Sequence, residues 1–150
     1  MRSWSACGAE ERAIWADKME GVVDQWIAFL RGNPLQTGCI SIRDCREQEV
    51  ESGGELEKRS QLGFLLSLGH IEQAARTQPT HLAVRNTLIS MYREATFTPQ
   101  LHLWVEVHIL PAGALETEYI NCHPQTGLLP YFEVREIVAD GRGTPAMDRP

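Results

Sequence analysis

Residues 101–109 decide the predicted fold, and they read Leu-His-Leu-Trp-Val-Glu-Val-His-Ile. Apolar and non-apolar residues alternate strictly along this stretch, which is typical of a β-strand with one face in a core. The odd-numbered residues, from Leu101 to Ile109, are predicted to be buried. The even-numbered positions place two imidazoles, an indole and a carboxylate on the opposite face: His102, Trp104, Glu106 and His108.

Helices are predicted upstream of this strand. Residues 9–31 carry an apolar stripe at helical spacing, followed by the stop signal Gly32 and Pro34. The stripe consists of Trp15, Met19, Val22, Trp26 and Leu30. Residues 55–68 and 71–77 are also predicted to be helical, and a further helix opens at Pro79, with Thr80 as its N-cap. Residues 38–43 favour a short strand, and residues 44–55 a loop or a frayed hairpin.

Two more strands are predicted downstream, at residues 117–122 and 131–138, each preceded by a turn. Because helices and strands segregate along the chain, we expect an α+β fold. Its N-terminal and central helices would pack on one face of a C-terminal antiparallel β-meander of three to four strands. Residues 1–138 are predicted to form a single domain. Residues 139–150 are rich in glycine and proline and are predicted to be a disordered tail.

The composition excludes several classes of protein. The chain has 150 residues and a net charge of −6, so it lacks the basic surface that phosphate-backbone binders need. Residues 1–15 contain no apolar signal region, and no apolar run approaches the length of a membrane span. The cysteines Cys7, Cys39, Cys45 and Cys122 form no Cys-x-x-Cys pair, and the spacing of Cys39, Cys45, Cys122 and His123 matches no compact zinc module. We therefore expect a cytoplasmic protein with reduced thiols.

The predicted meander can be assembled by keeping its apolar faces in register. Two rows then cross the polar face of the sheet: His108–Tyr119–Glu133 and Glu106–Asn121–Tyr131. In this register Trp104 lies opposite His123, and Arg135 extends the same face. At roughly 3.3 Å per residue, His102 and His108 are about 20 Å apart and cannot share a metal ion. We therefore predict neither a metal site nor a cofactor.

The polar face admits several interpretations. It can be an ordinary solvated sheet face, or it can bind a protein partner or a second copy of the chain, because Trp, Tyr and Arg are enriched at interfaces. The binding residues would be Trp104, His102, Asn121, His123, Tyr131 and Arg135. We favour a small regulatory domain that self-associates, as a homodimer, through this face or through the helix bearing Trp15 and Trp26. The acidic balance disfavours nucleic acid as a partner.

The alternative is a small-molecule-binding or hydrolase/isomerase-type enzyme with a polar cup around Glu106 and His108. In that case His108 or Glu106 acts as the general base, while Tyr119 and Glu133 complete the catalytic group. The remaining histidines receive no catalytic role. His70 and His81 lie near predicted helix boundaries and are interpreted as caps or solvated groups.

Overall fold

The computed structural model describes residues 1–133 of the chain. The chain divides into two compact units, residues 1–112 and 113–150, and each is considered by itself. The first unit contains four strands and five helices. The strands are β1 (Arg2–Ser3), β2 (Cys39–Gln48), β3 (Glu55–Leu65) and β4 (His102–Leu103), and the helices are α1 (Ala9–Lys18), α2 (Glu20–Gly32), α3 (Pro34–Thr37), α4 (Leu68–Thr77) and α5 (Pro79–Arg93). Across residues 1–133, none of the helices is long and apolar enough to cross a membrane.

All four strands belong to one antiparallel sheet with the order β2-β3-β1-β4. Helices α1 and α2 connect β1 to β2, and α4 and α5 connect β3 to β4, so the topology is that of a split β-α-β, ferredoxin-like fold. The predicted α+β class is confirmed. The strands are spread along the chain, however, and do not form a C-terminal meander.

The long hairpin of β2 and β3 dominates the sheet. Its turn places Gly53 at a φ of +67°, a conformation that glycine adopts without strain. The Glu49 amide donates to the Gly54 carbonyl at 2.8 Å. The predicted helix over residues 55–68 is therefore wrong, whereas the hairpin predicted as the alternative to a loop over residues 44–55 is present, with its tip at residues 49–54. Four leucines between positions 62 and 68 imitate a helical stripe, but Leu62 lies on the sheet, where its partner is Arg43.

One face of the hairpin packs against the helices, and the other is largely exposed to solvent. Ile42, which pairs with Gly63, packs against the helical core. The neighbouring positions point the other way because strand side chains alternate. There Leu62 and Phe64 remain 51% and 57% exposed.

The helices form a layer on the first of these faces, and the predicted helices over residues 9–31, 71–77 and 79 onward are confirmed. The buried core consists of Trp15, Met19, Val23, Ile27 and Met91. The stripe on α2 is thus shifted by one residue from the prediction, from Val22 and Trp26 to Val23 and Ile27. Hydrogen bonds continue through Met19, so α1 and α2 run on almost as one helix. Thr80 is not the N-cap of α5, which is Gln78.

A buried carboxylate joins this helical layer to the segment that leads into β4. Glu11 is only 2% exposed. It accepts hydrogen bonds from the Tyr92 hydroxyl at 2.9 Å, from the Gln100 amide at 3.0 Å and from the Leu101 amide at 3.1 Å. Burial alone would raise the pKa of Glu11, but these donors outweigh it and leave the pKa below its usual value. Glu11 is therefore a charged anchor between α1, α5 and the chain before β4.

The predicted strand over residues 101–109 forms only in part. His102 pairs with Ser3 and Leu103 with Arg2, after which residues 104–111 carry no strand. Met1 and Trp104 still exchange backbone hydrogen bonds, at 2.8 and 3.1 Å, and beyond Trp104 the alternating residues have no strand partner within residues 1–133. In the second unit residues 117–122 form no strand, and residues 129–131 form a 3₁₀ turn. The remainder of the predicted third strand and the predicted tail over residues 139–150 lie outside the described residues.

Candidate functional site

A cleft of about 490 Å³ lies between the helical layer and the sheet of the first unit. Helices α1, α2 and α5 supply a largely apolar wall, and the strands supply most of the polar groups. The apolar wall includes Trp15, Met19, Val23, Trp26, Val84 and Leu88, while the polar lining includes Arg2, Asp44, Arg59, Gln61 and His81, and residues 103–105 border the cleft. An apolar cleft with a few converging polar groups is the usual form of a small-molecule or cofactor site.

His81 is the one imidazole among the described residues that line this cleft. Its Nδ1 lies 3.1 Å from the carbonyl oxygen of Ala75. A carbonyl can only accept, so in the neutral ring Nδ1 carries the proton and Nε2 keeps a free lone pair. The ring also packs edge-on against Trp26, with 5.1 Å between the ring centroids. Such a second bond, which fixes both the tautomer and the ring orientation, is the usual support of a metal-binding histidine.

The other end of the cleft holds a buried cation. Arg2 is 8% exposed, and its guanidinium carbon lies 5.0 Å from the ring centroid of Trp4 and 5.6 Å from that of Trp15. Within residues 1–133, no hydrogen-bond partner is found for Arg2 Nε or for Trp15 Nε1, although both atoms are buried. Trp15 and Trp26 are 11 residues apart on the nearly continuous helix, so the two ends of the cleft are roughly 16 Å apart.

Three other side chains of the first unit belong to types that can bind metals, but they are less suited to it than His81. They are Cys7, Cys39 and Tyr92. Burial, together with the neighbouring Glu11 carboxylate, raises the pKa of the Cys7 thiol to about 11, and burial also raises the pKa of Cys39. Burial and the hydrogen bond to Glu11 raise the pKa of Tyr92. All three groups therefore stay protonated at neutral pH, whereas thiolates and phenolates are the forms that bind metals.

The residues predicted for the polar face are not organised as a site by strand pairing. His108 is exposed and has Glu106 as its neighbour, with 3.8 Å between Nε2 and Oε2. His102 lies on β4, and Trp104 borders the cleft. Tyr119, Asn121, His123, Tyr131 and Glu133 belong to the second unit, where the strands needed for the two predicted rows do not form. Within that unit, the Tyr119 hydroxyl accepts from the Leu128 amide at 2.9 Å. Arg135 lies outside the described residues.

Comparison with known proteins gives this cleft a family context. The sequence profile of haem-containing dehydratases matches residues 2–128 of the chain. The chain belongs to this family.

Haem-containing dehydratases with curated descriptions also resemble the chain directly. A phenylacetaldoxime dehydratase from a Bacillus species is 40% identical over 136 residues, which are 91% of this chain and 38% of that protein. An aliphatic aldoxime dehydratase from Pseudomonas chlororaphis is 34% identical over 128 residues, covering 85% of this chain and 35% of that protein. The chain thus spans a little more than a third of the length of these relatives.

The fold agrees with this membership of the haem-containing dehydratases. A crystal structure of an aldoxime dehydratase in complex with butyraldoxime superimposes with a TM-score of 0.70 at 31% identity, covering 86% of this chain and 35% of that one. A second aldoxime dehydratase structure gives a TM-score of 0.68 at 33% identity, over 86% of this chain and 36% of that one. The prediction of a regulatory interaction domain is therefore wrong, because the relatives are enzymes. The protein partner or homodimer predicted with it stays a prediction.

The sequence analysis missed the residues that define the cleft. His81 was interpreted as a cap or a solvated group, and Arg2 was not considered. Their position depends on contacts between distant parts of the chain, such as His81 with Trp26 and Arg2 with Trp15. The sequence offered one signal for the cleft, the pair Trp15 and Trp26, because both were predicted to share one face of a long helix.

Proposed function

We propose that the cleft binds haem through His81 and serves the dehydration of an aldoxime to a nitrile. The observation that carries this proposal is the state of His81: its Nδ1 donates to the Ala75 carbonyl, and its Nε2 lone pair is left free beside an apolar cleft. Histidine is the proximal ligand of many haem proteins. The family membership and the names of the relatives support the choice of haem and of aldoximes.

The residues of the cleft fit a haem group. The walls from α1, α2 and α5 are aromatic and aliphatic, as a porphyrin ring requires, and they include Trp26, Val84 and Leu88. The imidazole of His81 at one end would hold the haem through Nε2. At the other end, Arg2 and Arg59 lie beside Asp44, and Arg59 is also paired with Glu20 at 4.0 Å. The donor set therefore combines one neutral nitrogen ligand with an apolar enclosure and cationic groups.

His81 would hold the haem, which when bound would supply a Lewis acid for the oxime group. The overall reaction removes the hydrogen on carbon and the hydroxyl on nitrogen of R–CH=N–OH, so that R–C≡N and water are formed. The chain contributes by holding the organic substituent against apolar walls and by keeping bulk water away from the reacting group. The hydrogen bond between His81 and Ala75 fixes the ring orientation.

Haem titration of the purified chain tests this proposal. We expect the wild-type chain to bind haem in a one-to-one complex, followed by its absorption spectrum, and His81→Ala to lose most of this binding. His108→Ala is the matched control, because it removes an exposed imidazole that does not line the cleft. Equal haem binding by wild type and His81→Ala would refute the assignment of His81. Activity is then measured as nitrile formed from phenylacetaldoxime and from an aliphatic aldoxime such as butyraldoxime.

We also propose that the protein is cytoplasmic. The described part of the chain contains four cysteines, all of them free, as expected in a reducing compartment. Cell fractionation of an expressing bacterium tests this location. Recovery of the protein from the membrane or from the culture medium would contradict it.

A further inference from the structure

We propose that residues 102–108 pair as an antiparallel β-strand with the same residues of a second copy of the chain. The pairing uses the free edge of β4, and it joins the two four-stranded sheets into one continuous sheet. Its twofold axis passes between the two Trp104 residues. The interface is independent of haem, because it is formed by a strand edge and not by the wall that carries His81.

Strand β4 is the last strand of the sheet, and its surroundings in the sequence are unusual for an edge. Natural edge strands are short or are protected by lysine, proline or a bulge, which prevents pairing with other chains. Residues 101–109 contain no lysine, proline or glycine, and they alternate as a strand does. Among the described residues the backbone pairing ends at Trp104, so residues 105–109 have strand-forming sequence but no strand partner.

The unpaired part of this stretch also exposes aliphatic side chains. Val105 is 87% exposed and Ile109 is 65% exposed, and Val107 and Leu110 are exposed as well. A contiguous exposed apolar segment is a feature of interaction surfaces. A second strand at this edge would cover part of these side chains and would satisfy the backbone groups of the segment.

The hydrogen bonds already present determine which backbone groups point to the free edge. The Met1 amino group donates to the Trp104 carbonyl at 2.8 Å, and the Trp104 amide donates to the Met1 carbonyl at 3.1 Å. The N–H and C=O of Trp104 therefore point towards β1. Those of Leu103 and Val105 point away from β1, because these directions alternate along an antiparallel strand. They are the donors and acceptors available to a second strand.

The side chains of this stretch are complementary to those of a second copy. With the axis at Trp104, Leu103 lies opposite the partner's Val105, and the two residues exchange backbone hydrogen bonds. His102 then lies opposite the partner's Glu106, so an imidazole faces a carboxylate, and the two indoles meet at the centre. Aromatic, aliphatic and oppositely charged pairs are those that stabilise antiparallel strands.

The neighbouring registers are less favourable. An axis at Val105 places His102 opposite the partner's His108, and an axis at Glu106 places two carboxylates opposite each other, which is destabilising. Within one chain, His108 Nε2 lies 3.8 Å from Glu106 Oε2. This contact is compatible with the pairing, because a carboxylate has a second oxygen that can accept from the partner's His102.

The strands beside His102 also favour an incoming carboxylate. His102 pairs with Ser3 on β1, and Ser3 pairs with Lys58 on β3. The row that receives the partner's Glu106 therefore continues with a hydroxyl and an ammonium group and contains no like charge. The charge pattern thus supports a second copy as the occupant of this edge.

The oligomeric state of the purified chain tests this proposal. Sedimentation equilibrium and light scattering should show the mass of one chain at low concentration and of two chains at high concentration. The interface is small, so we expect a dissociation constant of roughly 1–100 μM. Val105→Pro removes the central amide N–H and should weaken the dimer by at least about 10-fold. Val50→Pro is the matched control, because Val50 is 99% exposed at the tip of the hairpin.

Disulfide trapping tests the register without depending on the proline variant. The exposed Cys122 is first removed as Cys122→Ser. In this background Trp104→Cys should form a disulfide-linked dimer on mild oxidation, because the two Cα atoms of a central non-hydrogen-bonded pair are about 4.5 Å apart. Glu106→Cys is the control. Its two copies would be four residues apart along the strands, about 13 Å, which is too far for a disulfide.

Three results would overturn the proposal. A chain that keeps the mass of a monomer at about 200 μM has no such interface. A dimer that is equally stable in wild type and in a folded Val105→Pro variant uses another surface, such as the exposed face of the hairpin. Cross-linking of Glu106→Cys at the rate of Trp104→Cys would exclude the register centred on Trp104. None of these results bears on His81 or on haem binding.

Discussion

Replacing Glu11 with glutamine should destabilise the first unit substantially, although the two side chains are nearly the same size. The carboxylate accepts from Tyr92 and from the backbone amides of Gln100 and Leu101. A glutamine offers one acceptor oxygen, and its amide group would face at least one of these donors. Hydrogen bonds to a charged group contribute about 1.5–3 kcal/mol each, and an unpaired buried donor adds a similar cost. We expect a loss of about 2–4 kcal/mol in the free energy of unfolding.

Glu10→Gln is the matched control for Glu11→Gln. Both substitutions remove one negative charge from the first turn of α1, so their effects on the helix dipole are similar. Glu10, however, is exposed and makes one hydrogen bond, with Thr96. Its replacement should cost less than about 1 kcal/mol. Urea unfolding at pH 7 with linear extrapolation measures both variants. Equal losses in the two variants would refute the anchor role of Glu11.

The pH dependence of this difference has a defined sign. The pKa of Glu11 is lowered in the folded protein, so its contribution to stability is complete above the pKa of an unfolded glutamate, about 4.3. It is lost as the pH falls through the lower, folded-state pKa. The stability gap between wild type and Glu11→Gln should therefore be constant near neutral pH and shrink below about pH 4.5. A gap that widens on acidification would contradict the assignment of an ionised, hydrogen-bonded Glu11.

Two further predictions concern stability and thiol reactivity. Gly38 has a φ of +65°, and an added Cβ would lie 2.5 Å from the His70 ring, so Gly38→Ala should cost about 1–3 kcal/mol. Gly21→Ala, on an exposed helical position with open space around it, should instead stabilise by about 0.5–1 kcal/mol; equal effects in urea unfolding would contradict this reasoning. At pH 8 a thiol reagent such as DTNB should react quickly with the exposed Cys122, and with Cys7 and Cys39 only after unfolding. Rapid labelling of Cys7 in the folded protein, identified by mass spectrometry, would show that its thiol is neither buried nor protonated.

The sequence predicted those elements whose stability is local. The helices over residues 9–31 and from Pro79 onward were found because their apolar stripes repeat at helical spacing. Strand β3 was missed because its pairing with β2 decides its structure, while the leucines at 62, 65, 66 and 68 imitate a helix. Residues 101–109 alternate as a strand should, yet among the described residues backbone pairing extends only from His102 to Trp104.

The cleft could not be found from local patterns at all. His81 becomes a candidate ligand only when the carbonyl of Ala75 and the ring of Trp26 are next to it, and Trp26 is 55 positions earlier in the chain. Arg2 is notable only because the fold buries it against the ring of Trp15. The strict alternation in residues 101–109 drew attention to His102 and His108 instead, although His108 is exposed to solvent.

The central claim, that His81 is the haem ligand of this cleft, is tested most directly by ligand replacement. A His81→Gly variant removes the imidazole and leaves space in which a free imidazole molecule can bind. Resonance Raman or electron paramagnetic resonance spectra then report the axial nitrogen on iron. We predict a histidine-ligated haem in wild type, loss of that signature in His81→Gly, and its return when imidazole is added. An unchanged iron–histidine signature in His81→Gly would contradict the account.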